Sequence, residues 1–179
     1  YILSLALTLR VHVDTASDAR LRFDFNELPE KVADALDLEQ LSGDDLPSFN
    51  RLCQAIEPLT DADIEKLNAA VLMTETSGIL SVCRLAENLD QFSFVPGVQT
   101  PEEYGKYMIQ QSGHFEYDKN LEGFYDYRRY GEQRIREDGG QFNECGYVAY
   151  QGAIPLEELM RDNPEEPCQQ GPQMGGLSC

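Results

Sequence analysis

Basic residues are scarce in this chain. It carries 14 Lys and Arg against 32 Asp and Glu, a formal net charge of −18 over 179 residues. A surface of that sign repels phosphate, which argues against direct binding to nucleic acid or to an anionic membrane. Histidine is limited to His12 and His114, and the cysteines (Cys53, Cys83, Cys145, Cys168 and Cys179) form no C-x-x-C pair. A zinc site needs clustered nitrogen and sulfur ligands, so no metal and no other cofactor is expected. Five scattered thiols in a chain of this length do not make a disulfide framework, and the expectation is reduced cysteines in a cytoplasmic protein. The opening Tyr1–Val13 is apolar but too short to span a bilayer. It also lacks the charged leader and small-residue cleavage site of a signal peptide.

Catalytic signatures are missing as well. The chain has no H-E-x-x-H, no G-x-S-x-G, no phosphate-cradling glycine loop and no EF-hand loop. Asp61-x-Asp63-x-Glu65 faintly resembles calcium ligands, but acids are favoured at a helix start by the dipole alone. His114 follows a helix stop at Gly113, and Cys145 beside Gly146 reads as a strand packing residue. Neither has an activating partner in sequence. The expectation is a protein that is not an enzyme.

What is present suffices for a folded core: 41% hydrophobic residues, with 8 Phe and 9 Tyr. Residues 1–13 alternate with period two, and Leu21, Phe23 and Phe25 alternate with charged neighbours, which predicts a hairpin. Asn26 as cap and apolar Leu28, Val32, Ala35 and Leu36 predict a helix over Glu27–Leu38, with Pro29 in its first turn. Residues 46–90 read as all-helical. Pro58 ends the first helix, Thr60 and Asp63 form a capping box for the second, and the third ends near Asn88. Phe92–Val95 predicts a strand, and Thr100-Pro101-Glu102-Glu103 marks a helix start. A short helix around Tyr125–Arg136, a strand over Gln141–Tyr150 and a turn or two of helix in Ile154–Met160 complete the reading. The whole is an α+β fold, an elongated chain of three small modules. These are an N-terminal hairpin plus helix (1–45), a central helical module (46–91) and a C-terminal α+β module (92–160). A tail rich in Pro, Glu, Gln and Gly (161–179) is expected to be disordered.

The charge is unevenly placed. Asp24 to Glu65 holds twelve acids and two bases, Lys31 and Arg51. On the first predicted helix Glu27, Glu30, Asp34 and Asp37 step by three, four and three, which stacks like charges on one face. Such pairs cost an isolated helix roughly 0.2–0.5 kcal/mol each, so selection for stability alone would intersperse lysine. A row of carboxylates approximates the phosphate row of a DNA strand, which carries one charge per ~3.4 Å. Uniform acidification would spread acids evenly, whereas Arg128, Arg129, Arg134 and Arg136 cluster. The run Phe124-Tyr125-Asp126-Tyr127-Arg128-Arg129-Tyr130 mixes aromatic and Arg residues as protein interfaces do, though core packing is the plainer account of Tyr127 and Tyr130.

Three stretches carry a resemblance to a known family. They are Glu103–Gly113, then Tyr125-Asp126-Tyr127-Arg128-Arg129-Tyr130-Gly131, then Gly140-Gln141-Phe142 with Gly146-Tyr147-Val148. In order and spacing the chain resembles the ArdA antirestriction proteins, and more loosely so over Leu21–Leu36 and Phe49–Leu52. It departs from the pattern at Glu132-Gln133, where family members often have Arg-Asp. The resemblance implies a homodimer joined through the C-terminal module, with Tyr125, Asp126, Tyr127, Arg128 and Tyr130 as the expected contact. It implies a surface that imitates duplex DNA and occupies the methyltransferase core of a type I restriction–modification enzyme. The acids expected to form that surface are Asp24, Glu27, Glu30, Asp34, Asp37, Glu39, Asp44, Asp45, Asp61, Asp63, Glu65, Glu75, Glu87, Asp90, Glu102 and Glu103. Two alternatives stay open: an acidic mimic or adaptor for another basic DNA-binding protein, and a small carboxylate-dependent hydrolase.

Overall fold

The computed structural model describes residues 10–13, 21–24, 28–36, 45–114 and 116–161. Strands β1 (Arg10–Val13) and β2 (Leu21–Asp24) pair antiparallel, with Val11 opposite Phe23 and Val13 opposite Leu21. The two strands are those of the expected hairpin. Residues 1–9 of the expected first strand lie outside the described residues.

Helix α1 spans only Glu30–Ala35, shorter than the expected Glu27–Leu38. Pro29 has φ −55° and ψ 137°, so it caps the helix from outside instead of entering its first turn. Leu36 is already extended at ψ 121°. Proline fixes φ but leaves ψ open, and here ψ selects the extended basin. Val32 and Leu36 are the buried anchors of this short helix.

Three helices follow as the spacing predicts: α2 (Leu46–Ile56), α3 (Asp61–Thr74) and α4 (Ile79–Glu87), the last capped at Asn88. Leu52, Leu67, Val82 and Leu85 are fully buried between them. The same apolar cluster takes in Val32 and Leu36 of α1 and reaches Phe92 and Val148 in the C-terminal sheet. The expected module boundaries after residues 45 and 91 fall between elements, while the core runs continuously across both.

The C-terminal part contains β3 (Phe92–Pro96), α5 (Pro101–Gln110), α6 (Tyr127–Asp138), β4 (Gln141–Asn143), β5 (Gly146–Tyr150) and α7 (Leu156–Leu159). Its sheet has the order β3-β5-β4, all antiparallel. The sequence predicts one strand over Gln141–Tyr150, but the segment is a hairpin that turns at Glu144-Cys145. Asn143 causes the turn: its Oδ1 accepts from the Cys145 N–H at 3.0 Å, an Asx turn. Gly146 then takes φ +148°, and a Cβ there would overlap the Val95 carbonyl of β3. Among the described residues no helix is long and apolar enough to cross a membrane.

Helices α5 and α6 meet backbone to backbone. A Cβ on Gly105 would overlap the Tyr127 carbonyl, and one on Gly131 would overlap the Pro101 carbonyl. Both obstructing atoms belong to the main chain, so no rotamer change relieves either clash. Gly105→Ala or Gly131→Ala is therefore expected to force the helices apart, at about 1–3 kcal/mol or more. Thermal melts should show each variant's midpoint down by several degrees, and an unchanged midpoint would show that the crossing can relax.

Candidate partner-binding surface

The expected acidic surface divides into carboxylates that hold the fold and carboxylates that do not. Asp63 is in the first group. The Thr60 hydroxyl donates to Asp63 Oδ2 at 2.7 Å, the Thr60 N–H donates to the same oxygen at 3.1 Å, and the Asp63 N–H donates back to Thr60 Oγ1 at 3.3 Å. Glu103 repeats the motif on α5, where Oε2 accepts from the N–H of Gln99 at 2.9 Å and of Thr100 at 3.0 Å. Both acids titrate below the usual carboxylate range. For Asp63 the first cause is the Thr60 hydroxyl; for Glu103 it is the Gln99 N–H. Glu87 binds Arg51 through both oxygens, at 2.6 and 2.8 Å, linking α4 to α2.

Asp34 stands 3.9 Å from the Lys31 ammonium, which also meets Glu144 at 2.6 Å and so ties α1 to the β4–β5 turn. The Glu144 contact is the first cause of the raised Lys31 pKa. Sequence reasoning missed Glu144 as a structural partner, because the pair joins residues more than a hundred positions apart.

The stripe of four acids on one helix is not found. Glu30 and Asp34 lie on α1, but Glu27 precedes the extended Pro29 and Asp37 follows the extended Leu36. Helical spacing therefore stops at both ends. Glu27, Asp37, Glu39 and Asp44 lie outside the described residues, and Asp24 ends β2 opposite Arg10. Asp45 is the residue before α2, half-buried, with no side-chain cap bond.

The second group comprises Glu30, Asp61, Glu65, Glu75, Asp90 and Glu102, all exposed and none used in the caps and ion pairs above. Asp61 and Glu65 are one turn apart on α3. Glu75 ends α3 at φ +47°, in the left-handed region that costs most side chains stability. Glu116, Asp118 and Glu122 are exposed too and were not among the expected acids.

The expected self-contact is partly turned inward. Tyr127 and Tyr117 both accept from Gln110 Nε2, at 3.0 and 3.2 Å. Tyr125 packs between their rings, 5.8 Å from each centroid. Burial, then the Tyr127 hydroxyl, pushes the Tyr117 phenol up to about 12. Asp126 caps α6 by accepting from the Arg129 N–H at 3.0 Å, and Arg128 pairs with Glu132 at 3.0 Å. Tyr130 is half-buried against the cluster of Tyr104 and Tyr147. The tyrosines thus brace α5 against α6, while nearby Leu121 is 47% exposed and Phe124 is 86% exposed. Nothing in the sequence separated Phe124 from its tyrosine neighbours.

Among the described residues no group of three His, Cys, Asp or Glu could hold a metal ion. The Cys53 and Cys145 thiols are raised by burial, and Cys83 is pushed up to about 11 by the same cause. All three are protonated at neutral pH, which leaves them poor nucleophiles. Comparison with known proteins gives no matching family model and no match among curated proteins.

The caps yield a pH prediction. Because the folded pKa values of Asp63 and Glu103 are depressed, their contribution is complete above the ordinary carboxylate range and is lost as pH falls through the lowered values. Asp63→Asn and Glu103→Gln should unfold at lower urea than wild type near pH ~7, with the gap closing toward pH ~3. A gap independent of pH would assign the loss to shape, not charge.

Proposed function

We propose that this chain is a cytoplasmic, non-catalytic antirestriction protein of the ArdA type. It works by occupancy: its carboxylates take the place of phosphates in the DNA groove of a type I restriction–modification enzyme. One observation carries the reading. Glu30, Asp61, Glu65, Glu75, Asp90 and Glu102 are exposed and stand outside the caps and ion pairs described above, in a chain of net charge −18. An acidic field of that size speeds capture of a basic partner and disfavours nucleic acid. Binding should weaken steeply with salt, as protein–DNA binding does.

The reading includes a homodimer. Two copies at −18 repel each other, but residues 116–136 hold five acids and five bases and so are locally neutral. Exposed Phe124 and Leu121 lie in that stretch. Self-association through it should strengthen with salt, opposite in sign to capture of the enzyme. Burying one Phe contributes about 1.5–3 kcal/mol, so Phe124→Ser should weaken self-association about tenfold or more. Light scattering across concentration and salt reads this, and a monomer under all conditions would remove the dimer from the proposal.

The function itself is tested by titrating ATP-dependent cleavage of unmodified DNA by a purified type I enzyme. Inhibition near stoichiometry, relieved by added duplex or salt, is expected. The combined Asp61→Asn, Glu65→Gln, Glu75→Gln and Asp90→Asn variant should inhibit at least about tenfold less well, since each lost charge contact removes a fraction of a kcal/mol or more. Its melting point should fall by no more than a few degrees, since Asp61 alone of the four sits in the first turn of an α-helix. Full potency in that variant would move the contact to other acids, and no inhibition by wild type would redirect the function to another basic partner.

A further inference from the structure

Three helices that carry exposed acids are tied to one short turn, Asn143-Glu144-Cys145, between β4 and β5. Glu144 holds α1 through the Lys31 ammonium at 2.6 Å. Asn143 Nδ2 donates to the Ala69 carbonyl of α3 at 2.9 Å, one turn beyond Glu65. Gln141 Nε2, at the start of β4, donates to the Met73 carbonyl at 3.1 Å, two residues before Glu75. Gln99 Nε2 donates to the carbonyls of Asn143 and Glu144 at 3.0 and 3.3 Å, while its N–H caps α5 on Glu103 at 2.9 Å. Asn143 Oδ1 is occupied by the Cys145 N–H, so both ends of this amide are in use. Turned over, it would set oxygen against the Ala69 carbonyl and NH₂ against an N–H.

Apolar burial brings helices together without fixing their angle, because it is non-directional. Hydrogen bonds and ion pairs add that direction. Helix α1 depends on them most. It has six residues, too few to hold a helix alone, and its buried anchors are Val32 and Leu36. Near its end the Gly78 N–H donates to the Ala35 carbonyl at 3.2 Å, and near its start Lys31 meets Glu144. Held at both ends, it presents Glu30 and Asp34 in one direction. We propose that Asn143 and Glu144 are positioning residues. They hold the exposed acids of α1, α3 and the start of α5 in one arrangement, so that a basic partner meets a surface organised in advance. Such organisation removes the cost of ordering those groups at the moment of binding. It matters most among like charges, whose repulsion favours spreading. The gain for capture rests on the function proposed above; the hold on the helices does not.

Amide hydrogen exchange of the full chain, read by mass spectrometry, tests the hold. Glu144→Gln keeps the shape of an exposed side chain and leaves α1 itself untouched, so a change in α1 must pass through the contact. Amides of α1 should exchange about threefold to fivefold faster, the size expected on losing one exposed ion pair, with α2 at the wild-type rate. Lys31→Glu should do the same, and adding Glu144→Lys to it should bring α1 back toward the wild-type rate. Wild-type exchange of α1 in Glu144→Gln would overturn the proposal. Asn143→Asp in the cleavage titration tests the value for capture. It keeps the side chain's shape and adds an acid, so charge alone predicts inhibition at least as strong as wild type. It also sets a carboxylate oxygen against the Ala69 carbonyl, and inhibition about threefold weaker or more is expected. Undiminished inhibition would overturn the link to capture. Failure of the wild-type protein to inhibit would count against the proposed function and leave the exchange result to decide this inference.

Discussion

The contact on which the rest of the structure depends is the apolar packing that joins α1, α2, α3 and α4 to the C-terminal sheet. Val32 and Leu36 enter it from one end and Phe92 and Val148 from the other, with Leu52, Leu67, Val82 and Leu85 between. A chain with 18 excess negative charges resists compaction, and only burial of non-polar surface works against that at scale. Because the cluster is continuous, the acids on α1, α3 and α4 stand on one support. Their relative positions are then set by packing.

Electrostatics refine that support locally. Lys31 bridges α1 to the β4–β5 turn through Glu144, and Arg51 clamps α2 to α4 through Glu87. Both of these bases are placed where they join two elements. The two capping boxes consume Asp63 and Glu103 in the same spirit, since a helix start needs acceptors for its free N–H groups. What remains exposed is a set of carboxylates with no structural duty in these contacts. That remainder supports reading the acidity as directed at a partner.

A second constraint governs the C-terminal part. The α5–α6 crossing requires Gly105 and Gly131 to face main-chain carbonyls, which brings Tyr104 close enough to Asp138 to donate at 2.8 Å. Tyr104 also stacks on fully buried Tyr147, with ring centroids 4.0 Å apart. The aromatic residues around Tyr127 are thereby committed to holding two helices together. Phe124, on the short 3-10 segment before α6, is left outside that packing.

Local chemistry was legible in the sequence. Thr60 with Asp63 and Thr100 with Glu103 announce helix starts, because a cap is made by residues three apart and needs no distant partner. The strand pairing Val11–Phe23, the breaks at Pro58 and Asn88 and the strand at Phe92 follow from alternation and punctuation in the same way. Polar turn chemistry was less visible: the Asn143 turn hid inside an alternating run and divided one expected strand into two. The early end of α1 at Leu36 was hidden too, because an apolar periodic pattern does not reveal where ψ switches. By itself, then, the sequence determined the element types, the helix starts and the excess of acid. Only the tertiary structure decided which acids are consumed by Arg51, Lys31 and the caps, which tyrosines turn inward, and why Gly105 and Gly131 must be glycine. Those outcomes depend on contacts between residues far apart in the chain, and distance along a sequence carries no record of distance in space.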